Sequence, residues 1–276
     1  MNRPDITEAA SPAPLGSDIP VLDWQGGPID CQACPHLDLR ASGGCEPGRS
    51  CMQDAYARRI DRFFRTHRSL AALHLQHPYF EVRAIAARHT DVFHLPSMVN
   101  DPDETVRLQV ALRVPQRLLQ TMCSDPHREV RIRVAQRIDV EHLSRLIQDP
   151  DYDVRTTVAR RLPLALLPLL ASDADLQVRL AVARRLEMPA LWRLVEDRAP
   201  EVRRIVAERL PAPLLDALAG DADWLVRWQV AGRAVGHSLQ RLLGDSDAEV
   251  RERARERRAE LEQGPRPTQP EGAEHG

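Results

Sequence analysis

Asp149-Pro150-Asp151-Tyr152-Asp153-Val154-Arg155-Thr156-Thr157-Val158-Ala159-Arg160-Arg161-Leu162 decides how the rest of the chain reads. Its pattern, D-x-D-x-x-V-R-x-x-V-A-x-R-L, returns 24 residues later at Asp173 and opened 24 residues earlier at Asp125. Asp101, Asp197, Asp221 and Asp245 open further copies, and His77 opens a degenerate one. A fixed period of this length predicts a solenoid, in which each unit buries its apolar face only against its neighbours.

Within a copy, the sixth, tenth and fourteenth residues are apolar: Val154, Val158 and Leu162 in the stretch above. Positions four apart line one face of a helix. A small Ala at the eleventh position, from Ala87 to Ala231, permits close approach of the next helix. The opening Asp, or the Asp two residues on, suits an N-cap, since a carboxylate accepts the unpaired amides of a first turn. Pro115, Pro163 and Pro211 then end the first helix, and Leu recurs at a spacing of three (Leu143 and Leu146, Leu167 and Leu170, Leu215 and Leu218). Two full α-helices with their turns fit poorly into 24 residues, whereas a three-residue apolar spacing suits a short 3₁₀ helix. An all-α array is therefore predicted, with one α-helix and one 3₁₀ turn per repeat. The last copy carries Arg255 and Arg258 around Ala254, the polar outer face a terminal unit needs.

The array spans 77–258 of 276 residues, preceded by a Cys-rich segment with a linking helix at 28–76. A loosely ordered N-terminus is expected over 1–27 and a disordered Pro/Gly-rich tail over 259–276. Aromatics make up only 4% of the chain, which suits helices packed on helices. The formal charge is −2 and every basic side chain apart from His is Arg, so the chain as a whole is no nucleic-acid polycation. No apolar stretch is long enough for a bilayer and the N-terminus lacks a signal-peptide pattern, so a cytoplasmic protein without a membrane partner is expected. In that compartment clustered cysteines point to a metal or redox site rather than to disulfides.

Cys31, Cys34, Cys45 and Cys51 are the only residues where chemistry is visible. Gly43, Gly44, Pro47 and Gly48 around them permit tight turns. Four thiolates can saturate one tetrahedral metal or one 4Fe–4S cube. Zinc is the alternative, although structural zinc favours two close pairs and the second pair here is wider. His36 could compete as a ligand but reads as a surface residue, and Trp24 and Tyr56 read as possible walls against water. Cys123 falls at a core position of its repeat and reads as a small buried hydrophobe.

These blocks, together with the four cysteines, resemble the leucine-rich repeat variant proteins with an N-terminal 4Fe–4S domain. The resemblance covers about Ile29 to Arg258. It implies a right-handed superhelix of alternating α and 3₁₀ helices, and a 4Fe–4S cluster held by Cys31, Cys34, Cys45 and Cys51. It also implies an association with nitrogen-fixing bacteria, and it brings no enzymatic residues.

Two arginine rows remain, Arg83 to Arg251 after the first Val, and Arg113 to Arg257 further on. They predict either ion pairs at neighbouring helix starts or a basic groove for nucleic acid. The near balance of acids and bases and the lack of interleaved aromatics favour the pairs. No Ser/His/Asp set, phosphate loop or carboxylate pair indicates an enzyme. The expected function is a redox-active or redox-sensing cluster scaffold that docks a protein partner. A nucleic-acid-binding solenoid or a zinc-stabilised adaptor are the alternatives.

Overall fold

The computed structural model describes residues 19–263. The loose ends expected at 1–18 and 264–276 lie outside them. The chain divides into two compact units, one ending at Leu118 and the other beginning at Leu119. The α-helices are α1 (Leu37–Ala41), α2 (Ala57–Thr66), α3 (Phe80–His89), α4 (Glu104–Ala111), α5 (Gln116–Leu119), α6 (Arg128–Arg137), α7 (Tyr152–Arg161), α8 (Leu176–Ala183), α9 (Pro200–Arg209), α10 (Trp224–Ala231), α11 (Gly236–Leu243) and α12 (Ala248–Gln263). Short 3₁₀ segments alternate with them, at Arg68–His74 and Val92–Met98 in the first unit, and from Gln120–Ser124 to Ala212–Leu218 in the second. Among the described residues the only β pairing is two isolated bridges, Asp23 with Asp54 and Glu46 with Ser50.

The repeat opening at Asp149 shows how sequence becomes structure. Asp151 caps α7, its Oδ1 accepting from the amides of Asp153 at 2.9 Å and Val154 at 3.3 Å. Val154, Val158, Ala159 and Leu162 are wholly buried. Burying each of the Val and Leu side chains is worth about 1.5–3 kcal/mol. Pro163, with no amide to donate, follows Leu162 and the chain turns into the 3₁₀ segment Leu167–Leu170, of which Leu167 and Leu170 are buried and Leu169 is exposed. The two aspartates of the motif divide the work. The second caps the helix, as Asp103, Asp175, Asp223 and Asp247 also do. The opening aspartate instead folds the turn, Asp149 Oδ1 accepting the Asp151 amide at 2.9 Å.

The first arginine row fastens repeat to repeat. Arg131 reaches Asp149, Arg155 reaches Asp173, Arg179 reaches Asp197, Arg203 reaches Asp221 and Arg227 reaches Asp245, with N···O distances of 2.6–2.9 Å. Arg83 meets Asp101 in the same way within the first unit, at 2.8 Å. Each guanidinium also donates to its own repeat's opening turn, as Arg155 Nη1 does to the Asp149 carbonyl at 2.7 Å. The second row caps helix ends. Arg161 Nη1 donates to Ala135 O, Arg185 to Ala159 O and Arg209 to Ala183 O, each at 2.6 Å. A cation at exposed last-turn carbonyls also complements the helix dipole.

Three features differ from the sequence expectations. The last connecting segment is the α-helix α11 rather than a 3₁₀ turn. It starts at Gly236, φ +54°, after an extended Val235. Residues 19–27 are tied down rather than loose: Arg59 donates to Ile19 O at 2.8 Å and Pro20 O at 2.9 Å, and the Ala55 amide donates to Leu22 O at 2.9 Å. Residues 259–263 continue α12, where Arg257 meets Glu260 at 3.0 Å and Arg258 meets Glu262 at 3.7 Å. Cys123, by contrast, is buried as the repeat pattern predicts.

Candidate metal centre

The cysteine segment is shaped by local polar contacts rather than by regular structure. Asp30 Oδ1 accepts from the amides of Gln32 at 2.8 Å and Ala33 at 3.4 Å, turning the chain between Cys31 and Cys34. The Cys34 amide donates to Cys31 O at 3.4 Å, which closes that turn. Helix α1 follows and the chain reverses at Gly43, whose φ of +76° lies in the region that glycine favours. Gly48 is a second such position, φ +81°, and a Cβ there would stand 2.9 Å from Val21 Cγ2. On either side of Gly48, Glu46 and Ser50 exchange amide-to-carbonyl bonds of 2.9 and 2.8 Å.

Helix α2 is the wall against which this segment is pinned. The Cys51 amide donates to Arg59 O at 3.2 Å. His67 Nε2 lies 2.8 Å from Gly44 O. Ile60, Phe63 and Phe64 make its buried face. Arg59 and Asp54, both buried, pair at 3.2 Å beneath the segment.

Cys31, Cys34, Cys45 and Cys51 all border one small pocket. Ile29, His36, Leu37, Arg40, Pro47 and Gln53 complete its lining. All four thiols are free; Cys51 is buried and the other three are half-buried. Among the described residues no three His, Cys, Asp or Glu side chains are placed to hold a single metal ion. The thiols sense one another. Burial, followed by the neighbouring Cys34 and Cys31, pushes the Cys45 thiol up, with Arg40 opposing. Burial pushes Cys51 up to about 11, with the Gln53 amide opposing and Cys34, Asp54 and Cys45 adding to the rise. Four soft donors whose anionic forms repel one another suit a cationic iron–sulfur core, which relieves that repulsion on binding.

Trp24 and Tyr56 do not wall the pocket. Trp24 stacks on Tyr79 with ring centroids 5.9 Å apart, and Tyr56 lies under the Arg59 guanidinium at 5.5 Å. The apolar walls are Ile29, Leu37 and Pro47 instead. His36 is half-buried rather than a surface residue, its Nε2 2.7 Å from Nε2 of the buried His74. One ring must donate and the other accept, so the pair is neutral on at least one side. His77 follows, 6.3 Å from His74 between centroids. Nothing in the sequence signals this row, because His36 and His74 are 38 positions apart.

The comparisons with known proteins bear on both parts of the chain. Residues 21–73 match the family model described as the LRV protein FeS4 cluster. Residues 152–175 and 200–223 match the leucine rich repeat variant model. An uncharacterized 27.7 kDa protein in the nifB 3′ region of Rhodobacter capsulatus is 49% identical over 94 residues. That match takes in 34% of this chain and 38% of the relative's length. A solved structure, titled a leucine-rich repeat variant with a novel repetitive protein structural motif, is 41% identical. The likeness covers 83% of this chain and 98% of that one, with a TM-score of 0.79. The α/3₁₀ solenoid class is thereby shown, and the cofactor of the N-terminal segment is a 4Fe–4S cluster.

Proposed function

The chain belongs to the leucine-rich repeat variant proteins with an N-terminal iron–sulfur segment, and from that premise we propose that its cluster is redox-active and that its repeats present it to a protein partner. That it is an iron–sulfur protein on a repeat scaffold needs no proposal; the redox role, the ligands and the docking do. The proposed ligands are Cys31, Cys34, Cys45 and Cys51. The single supporting observation is that all four free thiols border one pocket inside the segment that matches the cluster family.

A 4Fe–4S cluster with four thiolate ligands supplies one-electron chemistry and keeps no iron open to substrate. The chain's own residues set its surroundings. Arg40 brings positive charge to the rim, the Gln53 amide hydrogen-bonds Cys51, and Ile29, Leu37 and Pro47 exclude water from the pocket. Hydrogen bonds to sulfur and exposure are levers on reduction potential. The nucleic-acid alternative is weakened because the first arginine row is engaged in ion pairs and carbonyl contacts. Among the described residues no helix is long and apolar enough to cross a membrane. Free thiols and a cluster fit a reducing, cytoplasmic setting, and the relative in the nifB region supports an association with nitrogen fixation.

Anaerobic purification followed by iron, sulfide and zinc analysis, with visible spectra before and after dithionite, tests the proposal. A brown protein with about four irons that bleaches on reduction is expected. A cluster that resists reduction would leave the scaffold but remove the redox role.

A further inference from the structure

Helix α2 carries four arginines and one aspartate, Ala57-Arg58-Arg59-Ile60-Asp61-Arg62-Phe63-Phe64-Arg65-Thr66. Two of these charges have internal work. Arg59 is buried on Asp54 and on the carbonyls of Ile19 and Pro20. Asp61 faces His89 at 2.9 Å and Arg88 at 3.3 Å, with Arg65 also bearing on its charge. Arg58 and Arg62 are left, exposed beside the exposed Arg65, which shares the charge of Asp61. They stand four and three residues apart and so share one face. Among the described residues no acidic side chain lies within ion-pair distance of any of the three; Arg62 donates only to the Arg49 carbonyl, at 3.2 Å.

Arginine density alone does not produce such a face. In α12 the same residue type is matched along the helix: Arg253 with Glu256 at 2.8 Å, Arg255 with Glu252 at 2.9 Å and Arg257 with Glu260 at 3.0 Å. This stripe, offset only by Asp61 beside Arg65, occurs instead on the helix that holds the cysteine segment, through Cys51 to Arg59 O, Arg62 to Arg49 O and His67 to Gly44 O. Arg40 adds positive charge on that segment and borders the pocket, whereas Arg49 is paired with Glu46 at 3.7 Å. Phe63 and Phe64 are buried, so the stripe offers no ring for stacking bases.

We propose that Arg58, Arg62 and Arg65 form a docking face for the acidic surface of an electron-carrier protein, on the helix against which the cysteine segment is pinned. The partner's chemistry follows from complementarity: a row of guanidiniums steers and orients a row of carboxylates. The inference rests on the redox role proposed above and names the class of protein that role would need.

The test uses the cluster-loaded full chain and an acidic plant-type ferredoxin as probe, with binding followed by fluorescence anisotropy. The wild type should bind the ferredoxin, with affinity falling about tenfold or more between low and high salt. The triple variant Arg58→Gln, Arg62→Gln, Arg65→Gln should bind about tenfold more weakly or worse while keeping its visible absorption. The variant Arg253→Gln, Arg255→Gln, Arg258→Gln lowers the charge equally and should bind as the wild type does. Equal binding by the wild type and the α2 variant, or no binding at all, overturns the proposal. So does a single-stranded RNA dodecamer that binds the wild type in place of the ferredoxin and is lost from the α2 variant. Dithionite titration of the same samples separates the two ideas. A cluster that stays oxidised sinks the redox role, whereas one that bleaches without salt-dependent docking sinks only the face.

Discussion

Arg155 and Asp173 meet across the seam between two repeats through a pair of parallel hydrogen bonds, Nε to Oδ2 at 2.7 Å and Nη2 to Oδ1 at 2.9 Å. The carboxylate is nearly buried, at 7% exposure, and also holds its own turn through the Asp175 amide at 2.8 Å. The same side chain thus folds one repeat and fastens it to the last. Arg155→Ala should destabilise the chain by about 3 kcal/mol, because it strands a buried carboxylate. Arg155→Lys, which keeps the charge but not the fork, should cost about half as much. Urea unfolding with an unchanged slope and a lowered midpoint checks both, and a loss under about 0.5 kcal/mol for Ala would contradict the seam's role.

Acid should loosen these seams. Burial alone would raise the Asp173 carboxyl, but the Arg155 hydrogen bond, the Asp175 amide and the charges of Arg155 and Arg179 outweigh it and hold it below the ordinary 3.8. Asp221 and Asp245 are held down in the same way by Arg203 and Arg227. A carboxyl depressed in the folded state contributes stability that is fully present above its unfolded value and lost as pH falls through the folded one. Stability from these three seams should therefore be flat near neutrality and decline from about pH 4 downward. Thermal melting against pH measures it, and a decline shared equally by an Asp173→Asn, Asp221→Asn, Asp245→Asn variant would assign the loss to other groups.

His74 sets a second window in the first unit. Burial, then His36 and His77, lowers its pKa to about 4. Phe64 and His36 pack on its ring, and no carboxylate is recorded beside it. The unfolded chain takes up this proton near 6.5 and the folded chain only near 4, so stability is present above pH 6.5 and lost as pH falls toward 4. The His74 ring resonance in NMR should stay at its neutral position down to about pH 5. Movement centred near 6.5 would place the ring in water.

The cysteines divide into two classes. Cys31→Ser, Cys34→Ser, Cys45→Ser and Cys51→Ser should each lower bound iron sharply, since each removes a proposed thiolate ligand. Cys123→Val should retain full iron, because that thiol is buried in the second unit's repeat core. Iron per chain after anaerobic gel filtration decides it, and a Cys51→Ser protein with undiminished iron would remove Cys51 from the ligand set.

The repeat core was legible because each unit states its own pattern: Val106, Val130, Val154 and Val178 are each wholly buried at the same register. The seam pairs were half legible. Arginine after the first Val demanded a partner, but only the fold shows that it is the opening Asp of the following repeat, 18 residues on. Most connecting segments are 3₁₀, with or without a proline, as Val140–Leu146 shows, whereas Gln116–Leu119 and α11 are α-helical. The pocket walls were misjudged, since Trp24 and Tyr56 lie near the cysteines in sequence yet pack elsewhere.

The sequence by itself determined the period, the buried stripe, the caps and the four candidate thiols, because all of these are set by residues within one repeat or one short loop. Tertiary structure alone decided which cysteines share a pocket, that His36 meets His74, and that Arg58 and Arg62 of α2 have no carboxylate within ion-pair distance among the described residues. Those facts depend on which distant segments fold against one another, and in a loop without periodicity no local spacing encodes the partner.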